Sequence, residues 1–307
     1  MPISELKTIG RIVGLHGQRA DLYTDNGVVD AIIRGKVKYG ETDESPIAVG
    51  DFVEYSFKNP NMATIEKIQP RKSVISRPAV EKKDYTQVLV SNVDRFIIVT
   101  SVAQPPFKSG LVDRFLVIAF KEKIHPVIVM NKIDLGKADS FIRYLDAWQK
   151  LSSDIVHTSA KSGQGIDRLL PFLKMGTSVI VGHSGVGKSS LINRINPVLD
   201  IKTKAISTYS GRGTHTTSSS IIYRLFPDGW VADTPGLKDL GLAGVSKLNL
   251  YRYFPEFEQY ETECQFSNCI HVNEPGCGFK NALARNYSGI AEFRYDSYLN
   301  MLSSLKS

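Results

Sequence analysis

Apolar and polar positions change rhythm twice along the 307-residue chain. Residues 9–15, 20–24, 28–33, 49–57 and 62–68 form short runs with the alternation expected of half-buried strands. Asp25-Asn26-Gly27 separates the second and third runs and is a tight-hairpin signal, because Asn and Gly tolerate positive φ. Five strands in about 70 residues predict a small closed barrel. The oligonucleotide-binding (OB) type is the first candidate, and any small barrel without a nucleic-acid role is the alternative. Tyr23, Phe52, Tyr55 and Phe57 are candidates for stacking on bases. Alternation sets Phe52 opposite Tyr55 and Phe57, so part of this set belongs to the core.

The polar stretch 71–78 is expected as a linker. Beyond it, continuous apolar runs at 94–101 and 125–130 predict buried strands, as do 154–158, 177–181 and 230–232. Helical periodicity marks 111–121, 140–151 and 189–195. Strands alternating with helices predict a mostly parallel sheet, with ligands bound beyond the strand ends. The last rhythm is aromatic and polar at 251–260, then cysteine-rich. Ser288 is the expected N-cap of a final helix carrying Ile290, Phe293, Tyr298, Leu299, Met301 and Leu302.

Composition changes this picture little. Hydrophobic residues make up 42% and charged residues 22%, which describes an ordinary globular protein. No apolar run approaches the roughly 20 residues needed to cross a bilayer, so no membrane partner is expected. Residues 1–11 lack a signal-peptide core, and three clustered thiols make a poor disulfide framework. The expected compartment is the cytoplasm, and nothing suggests an obligate oligomer, so a monomer is expected. The net charge of +7 lies wholly in residues 76–240, which hold 22 basic and 14 acidic side chains. That excess permits an anionic partner such as RNA without requiring one.

The chemistry begins where strands end. Gly182-His183-Ser184-Gly185-Val186-Gly187-Lys188-Ser189 is a phosphate loop lying between a strand and a helix. Its glycines let backbone N–H groups wrap around phosphates, and the helix N-terminus favours anions. Lys188 is expected on the β and γ phosphates and Ser189 on Mg²⁺. Asn131-Lys132-Ile133-Asp134 reads guanine: the Asp134 carboxylate accepts from the ring N–H and the exocyclic amine, a donor pair that adenine lacks. Lys132 would lie along the base and Asn131 would tie loops together. Ser159-Ala160-Lys161 would offer a backbone N–H to the guanine carbonyl. Asp233-Thr234-Pro235-Gly236 would hold Mg²⁺ through Asp233 and sense the γ-phosphate through Gly236.

The order of these motifs is rotated, because the base-reading stretch precedes the phosphate loop. Between phosphate loop and Asp233 lies Gly211-Arg212-Gly213-Thr214-His215-Thr216-Thr217, where either Thr216 or Thr217 would close over Mg²⁺. Leu237 stands where many GTPases place a water-orienting Gln, so slow intrinsic hydrolysis is expected. His215 is the local candidate for orienting water, and a partner supplying the missing group is the alternative. Residues 201–227 contain no acidic side chain but include Lys202, Lys204, Arg212 and Arg224. The loop is therefore read as an RNA contact made in the triphosphate state, with contact to the bound nucleotide as the alternative.

All three cysteines fall within fourteen residues: Cys264, Cys269 and Cys277, with His271 among them. Three thiolates and one imidazole match a closed, structural zinc site. A barrel of OB type, a permuted GTPase and this Cys-Cys-His-Cys module together resemble the RsgA (YjeQ/YloQ) family, circularly permuted small ribosomal subunit biogenesis GTPases. Residues 131–134, 182–190 (adding Ser190), 211–217, 233–236 and the four metal ligands carry the resemblance. Thr214 departs from it, since the family usually has a basic residue before the histidine. The resemblance implies GTP hydrolysis to GDP stimulated by the small ribosomal subunit, rRNA contacts through the flanking domains and a role in late subunit maturation. The expected domains are a barrel over 1–72, a GTPase domain over 73–239 and a zinc-binding helical module over 240–307.

Overall fold

The computed structural model describes residues 8–34, 47–59, 62–78, 86–136, 141–151, 153–199, 220–233, 242–285 and 291–305. Chain contacts divide it into two units, residues 1–95, 171–180 and 201–243 in one and the remainder in the other.

In the first unit, β1 (Thr8–His16), β2 (Arg19–Thr24), β3 (Gly27–Ile33), β4 (Phe52–Asn59) and β5 (Met62–Ile68) close a barrel in the order β1-β2-β3-β5-β4. The β3–β5 pair is parallel and the others are antiparallel, so the expected OB-like closure is present. Ile12, Leu22, Val53 and Ile65 fill its interior and are fully buried. Each such side chain contributes about 1.5–3 kcal/mol relative to exposure. Tyr55 joins this core, which removes it from the stacking candidates. Tyr23 meets Trp230 edge-on at 4.9 Å, and Phe52 lies beneath the Arg11 guanidinium. Of the four aromatic residues, Phe57 at 46% is the most exposed.

The stretch expected as a linker is structured instead. β6 (Val74–Pro78) pairs antiparallel with β7 (Thr86–Ser91). Arg71 is buried, with its Nε 2.8 Å from Asp51 Oδ1 and its Nη2 2.9 Å from Oδ2. Ser91 Oγ donates to the same carboxylate at 2.6 Å. A polar run looks solvated in sequence, yet fork-like Arg–carboxylate pairing satisfies the charge inside.

The same unit holds β11 (Met175–Val181), β13 (Asp228–Asp233), parallel to it, and β12 (Ile221–Arg224), antiparallel to β13. Arg11 is wedged between the rings of Phe52 and Trp230, and its Nη2 lies 2.5 Å from Thr177 Oγ1. Burial pulls its pKa down to about 10 against the opposing pull of Asp94.

The second unit carries β8 (Arg95–Ser101), β9 (His125–Asn131) and β10 (Asp154–His157), in the order β10-β9-β8. Val127, Ile128, Val129 and Met130 are completely buried, as expected for a strand covered on both faces. The helices are α1 (Ser109–Lys121), α2 (Ile142–Gln149), α3 (Ile166–Leu173), α4 (Lys188–Ile195), α5 (Gly278–Ala284) and α6 (Glu292–Ser304). Helix α6 begins after Ala291, which makes no side-chain cap; Ser288, the expected cap, lies outside the described residues. Among the described residues no helix is long and apolar enough to cross a membrane.

One buried ion cluster joins α6 to α1. The Arg294 side chain, 1% exposed, donates from Nη1 to Asp113 Oδ1 at 2.7 Å. Its Nε and Nη2 donate to the two Glu256 oxygens at 2.6 and 3.1 Å. Trp148 Nε1 donates to Asp113 Oδ1 at 2.7 Å, and Phe254 lies 4.5 Å from the guanidinium carbon. Burial works against the Arg294 cation, but the two carboxylates outweigh it and raise its pKa. Removing the guanidinium leaves two anions uncompensated. Arg294→Leu is expected to cost about 3–5 kcal/mol in urea unfolding near neutral pH. Burial already raises the Asp113 carboxyl pKa against the opposing pull of Arg294, so without the cation the deficit grows as pH rises and shrinks on acidification. A deficit independent of pH would contradict this account.

Candidate nucleotide and metal sites

The base-reading stretch and the phosphate loop meet through one side chain. Asn131 ends β9 and is 1% exposed. Its Nδ2 donates to the Val186 carbonyl at 2.8 Å. Its Oδ1 accepts from the Ala160 N–H at 3.2 Å and from Thr158 Oγ1 at 3.1 Å. Three loops that follow three different strands therefore share one carboxamide. Gly187 fits against it only because it lacks a side chain: φ is +99°, and a Cβ would stand 2.3 Å from Asn131 Nδ2. Gly182 has the same constraint, since a Cβ there would stand 2.1 Å from the Val99 carbonyl oxygen.

Asp134 lies in a 3-10 turn, residues Ile133–Leu135, just past the strand end. Ser159 Oγ donates to Asp134 Oδ1 at 2.6 Å and accepts from the Ser162 N–H at 3.1 Å. The Ser159 hydroxyl thus orients the carboxylate. Lys132 enters this turn in the left-handed region (φ 62°) and its Nζ donates to the Gln104 carbonyl. Gln104 was not legible as a site residue; its only sequence signal is the Gln104-Pro105-Pro106 turn after a buried strand.

Lys188 and Ser189 open α4, whose N-terminus follows Gly187. Lys188 Nζ donates to the Gly182 and His183 carbonyls at 2.9 and 3.0 Å, so its charge lies along the loop. His183 Nδ1 lies 2.8 Å from the Ser184 carbonyl oxygen. Ser184, Gly185, Val186 and Ser190 follow in the same loop and helix; Lys161 is exposed beside Ala160. Asp233 is the last residue of β13. Gly236, His215, Thr216 and Thr217 lie outside the described residues, as do Lys202, Lys204, Arg212 and Leu237. Arg224 is described: its guanidinium packs over the rings of Tyr23 and Trp230 and donates to the Pro227 carbonyl. That contact occupies one of the four cations assigned to an anionic partner.

A second cluster forms in the carboxyl-terminal segment. The ligand atoms of Cys264, Cys269, His271 and Cys277 all lie within 4.8 Å of one another. His271 Nδ1 is 3.6, 3.7 and 3.5 Å from the three sulfurs. Zinc–sulfur bonds of about 2.3 Å and zinc–nitrogen bonds of about 2.0 Å give tetrahedral edges of roughly 3.5–3.8 Å, so the donor set fits that ion. Burial pushes the Cys269 thiol up to about 12 and raises Cys277 as well. A coordinating cation reverses such a preference by deprotonating the thiol outright. Phe254, Phe257, Tyr260 and Phe279 pack as a buried aromatic shell beside the cluster.

A glycine cradle opening a helix, braced by an Asn-Lys-x-Asp turn that precedes it in the chain, defines a phosphate-loop GTPase with permuted motifs. The family described as RsgA GTPase matches residues 68–243. A small ribosomal subunit biogenesis GTPase RsgA from Chlorobaculum tepidum is 41% identical over 268 residues, covering 84% of this chain and 85% of its own. RsgA 2 of Bacteroides thetaiotaomicron is 36% identical over 299 residues, covering 95% and 96%. The crystal structure of YjeQ from Thermotoga maritima matches with TM-score 0.78 at 35% identity, covering 98% of this chain and 99% of that one. YloQ, described as a circularly permuted GTPase, matches at 0.74 and 26%, covering 99% and 96%. The chain belongs to the RsgA GTPase family, and is a GTP hydrolase.

Asn131→Ala strands the Val186 carbonyl and the Ala160 N–H together. It is expected to lower unfolding free energy by about 1–3 kcal/mol, measured in urea. A loss below a few tenths would mean that the shared carboxamide does not hold these loops.

Proposed function

We propose that this protein hydrolyses GTP on the small ribosomal subunit, as a late maturation factor that binds rRNA in a nucleotide-dependent way. The observation that carries the guanine reading is the Asp134 carboxylate oriented by Ser159, on a turn tied by Asn131 to the phosphate loop. Asp134 accepts from the guanine N–H pair, Lys132 lies along the base, and the Ala160 N–H faces the guanine carbonyl, with Ser159 and Lys161 completing that turn. The backbone N–H groups of residues 182–190 surround the phosphates. Lys188 neutralises the β and γ oxygens.

Magnesium, when bound, offsets phosphate charge during transfer; Ser189, Asp233 and one of Thr216 or Thr217 are the hard oxygen donors that would hold it. The Gly236 N–H senses the γ-phosphate. His215 orients the attacking water, because Leu237 has no hydrogen-bonding group. Four ligands, Cys264, Cys269, His271 and Cys277, would hold one structural zinc ion. The domains are a barrel over 1–72, a GTPase domain over 73–239 and a zinc module over 240–307. The protein works as a monomer in the cytoplasm. The assignment of the small ribosomal subunit as partner is supported by the names of its relatives in Chlorobaculum tepidum and Bacteroides thetaiotaomicron.

GTP turnover with and without purified small subunits tests the reading. Subunits are expected to accelerate phosphate release by the wild type, and His215→Ala is expected to blunt that acceleration while leaving GDP affinity unchanged. Asp134→Ala is expected to reduce guanine preference by about 10²-fold or more, because the base loses both acceptor contacts. Equal turnover with and without subunits would sink the proposal of a ribosomal substrate. Independently, metal analysis is expected to find one zinc per chain, and strong chelation should lower the melting temperature.

A further inference from the structure

The metal-binding loop contains a charged side chain that is not one of the four ligands and whose oxygens are already committed. Glu274 Oε1 accepts from the Ile270 N–H at 3.0 Å. Glu274 Oε2 accepts from the N–H groups of Val272 at 2.8 Å and Asn273 at 3.1 Å. These donors stand on both sides of His271, the single imidazole of the cluster. His271 itself adopts a left-handed conformation, φ 61°, which a residue with a Cβ takes up only when its surroundings impose it.

The loop carbonyls are held from the other side. Tyr298 donates its hydroxyl to Ile270 O at 2.5 Å, Tyr295 to His271 O at 2.9 Å, and Lys280 Nζ to Val272 O at 2.7 Å. The loop is thus clamped between α5 and α6 on its carbonyl side and a single carboxylate on its amide side. Burial by itself would raise the Glu274 pKa, but the backbone N–H groups of Ile270, Glu274, Val272 and Asn273 outweigh it and hold it below the ordinary range. The carboxylate therefore stays an acceptor, directed at the loop.

We propose that Glu274 is the positioning residue of the metal site: by binding the amides that flank His271, it holds the imidazole Nδ1 toward the three sulfurs without ligating the metal. This rests on reading the four residues as zinc ligands. An isosteric amide exposes the role. Glu274→Gln has one acceptor oxygen in place of two, and its NH₂ must face either the Ile270 N–H or the Val272 and Asn273 pair. No rotation of the amide avoids a donor-to-donor contact.

The test compares wild type and Glu274→Gln in the full-length chain. Zinc affinity is read by competition with a chromophoric chelator, zinc release by its rate, and the ligand set by the absorption of the cobalt(II) form. The variant is expected to bind zinc about 10–100-fold more weakly and release it faster. The cobalt spectrum should keep the shape expected of three thiolates and one imidazole. Unchanged affinity and release would overturn the proposal. So would an altered cobalt spectrum, which would make Glu274 a ligand. If wild type itself bound no stoichiometric zinc, the four-ligand reading would fall instead.

Should the variant not fold, amide exchange in the wild-type zinc-bound protein decides the matter. The N–H groups of Ile270, Val272 and Asn273 are expected to exchange slowly, although Asn273 is exposed. Fast exchange at all three would equally overturn the role.

Discussion

A buried carboxamide is the joint on which the nucleotide site depends. The Asn131 side chain bonds both the phosphate loop, through Val186, and the turn at Ala160. An Asn can do this because it presents donors and an acceptor from one planar group, and burial makes each unmade bond costly. An Asp could not donate to the Val186 carbonyl, and a Ser could not reach both loops. The absence of a side chain on Gly187 follows from the same contact, since a Cβ would occupy the space of the amide. The Asp134 turn, to which the proposed function assigns guanine selectivity, follows directly from that joint at the end of the same strand.

Elsewhere the architecture rests on buried arginines, each engaged in a different way. Arg71 forms a fork with Asp51, Arg294 bridges two carboxylates, and Arg11 lies between two aromatic rings with one hydroxyl acceptor. A planar, weakly hydrated guanidinium suits such places better than an ammonium would. Arg294 lies on the same helix as Tyr295 and Tyr298, which hold the loop around His271. Helix α6 thus carries both the contact to α1 and the contact to the ligand segment. This arrangement gives a short, loop-rich segment support beyond its own small aromatic core.

Much of the site was legible because phosphate and base recognition need particular residue types at fixed spacings on strand ends. Gly182 to Ser189, Asn131 to Asp134 and the Cys264–Cys269–His271–Cys277 set could be read without coordinates. The missed elements have physical explanations. The β6–β7 pair begins in a polar run and ends at a proline, so nothing distinguishes it from a linker until Arg71 finds Asp51. Helix α3 contains Pro171, and α5 starts at a glycine; both weaken a helical signal. Tyr23, Phe52 and Tyr55 looked free to stack on bases, but side-chain type alone cannot say that Trp230, Arg11 and the barrel core already engage them.

By itself the sequence determined the barrel's strand alternation, the rotated order of nucleotide motifs and the Cys264, Cys269, His271 and Cys277 set that folding gathers into one cluster, because these follow from local periodicity and from chemistry that admits few residue types. Only the tertiary structure decided which polar side chains are buried and what they serve. Asn131 as a joint, Arg294 as a bridge and Glu274 as a clamp depend on partners brought near by folding. Hydrogen bonds reach about 3 Å, and no pattern along a chain encodes that proximity.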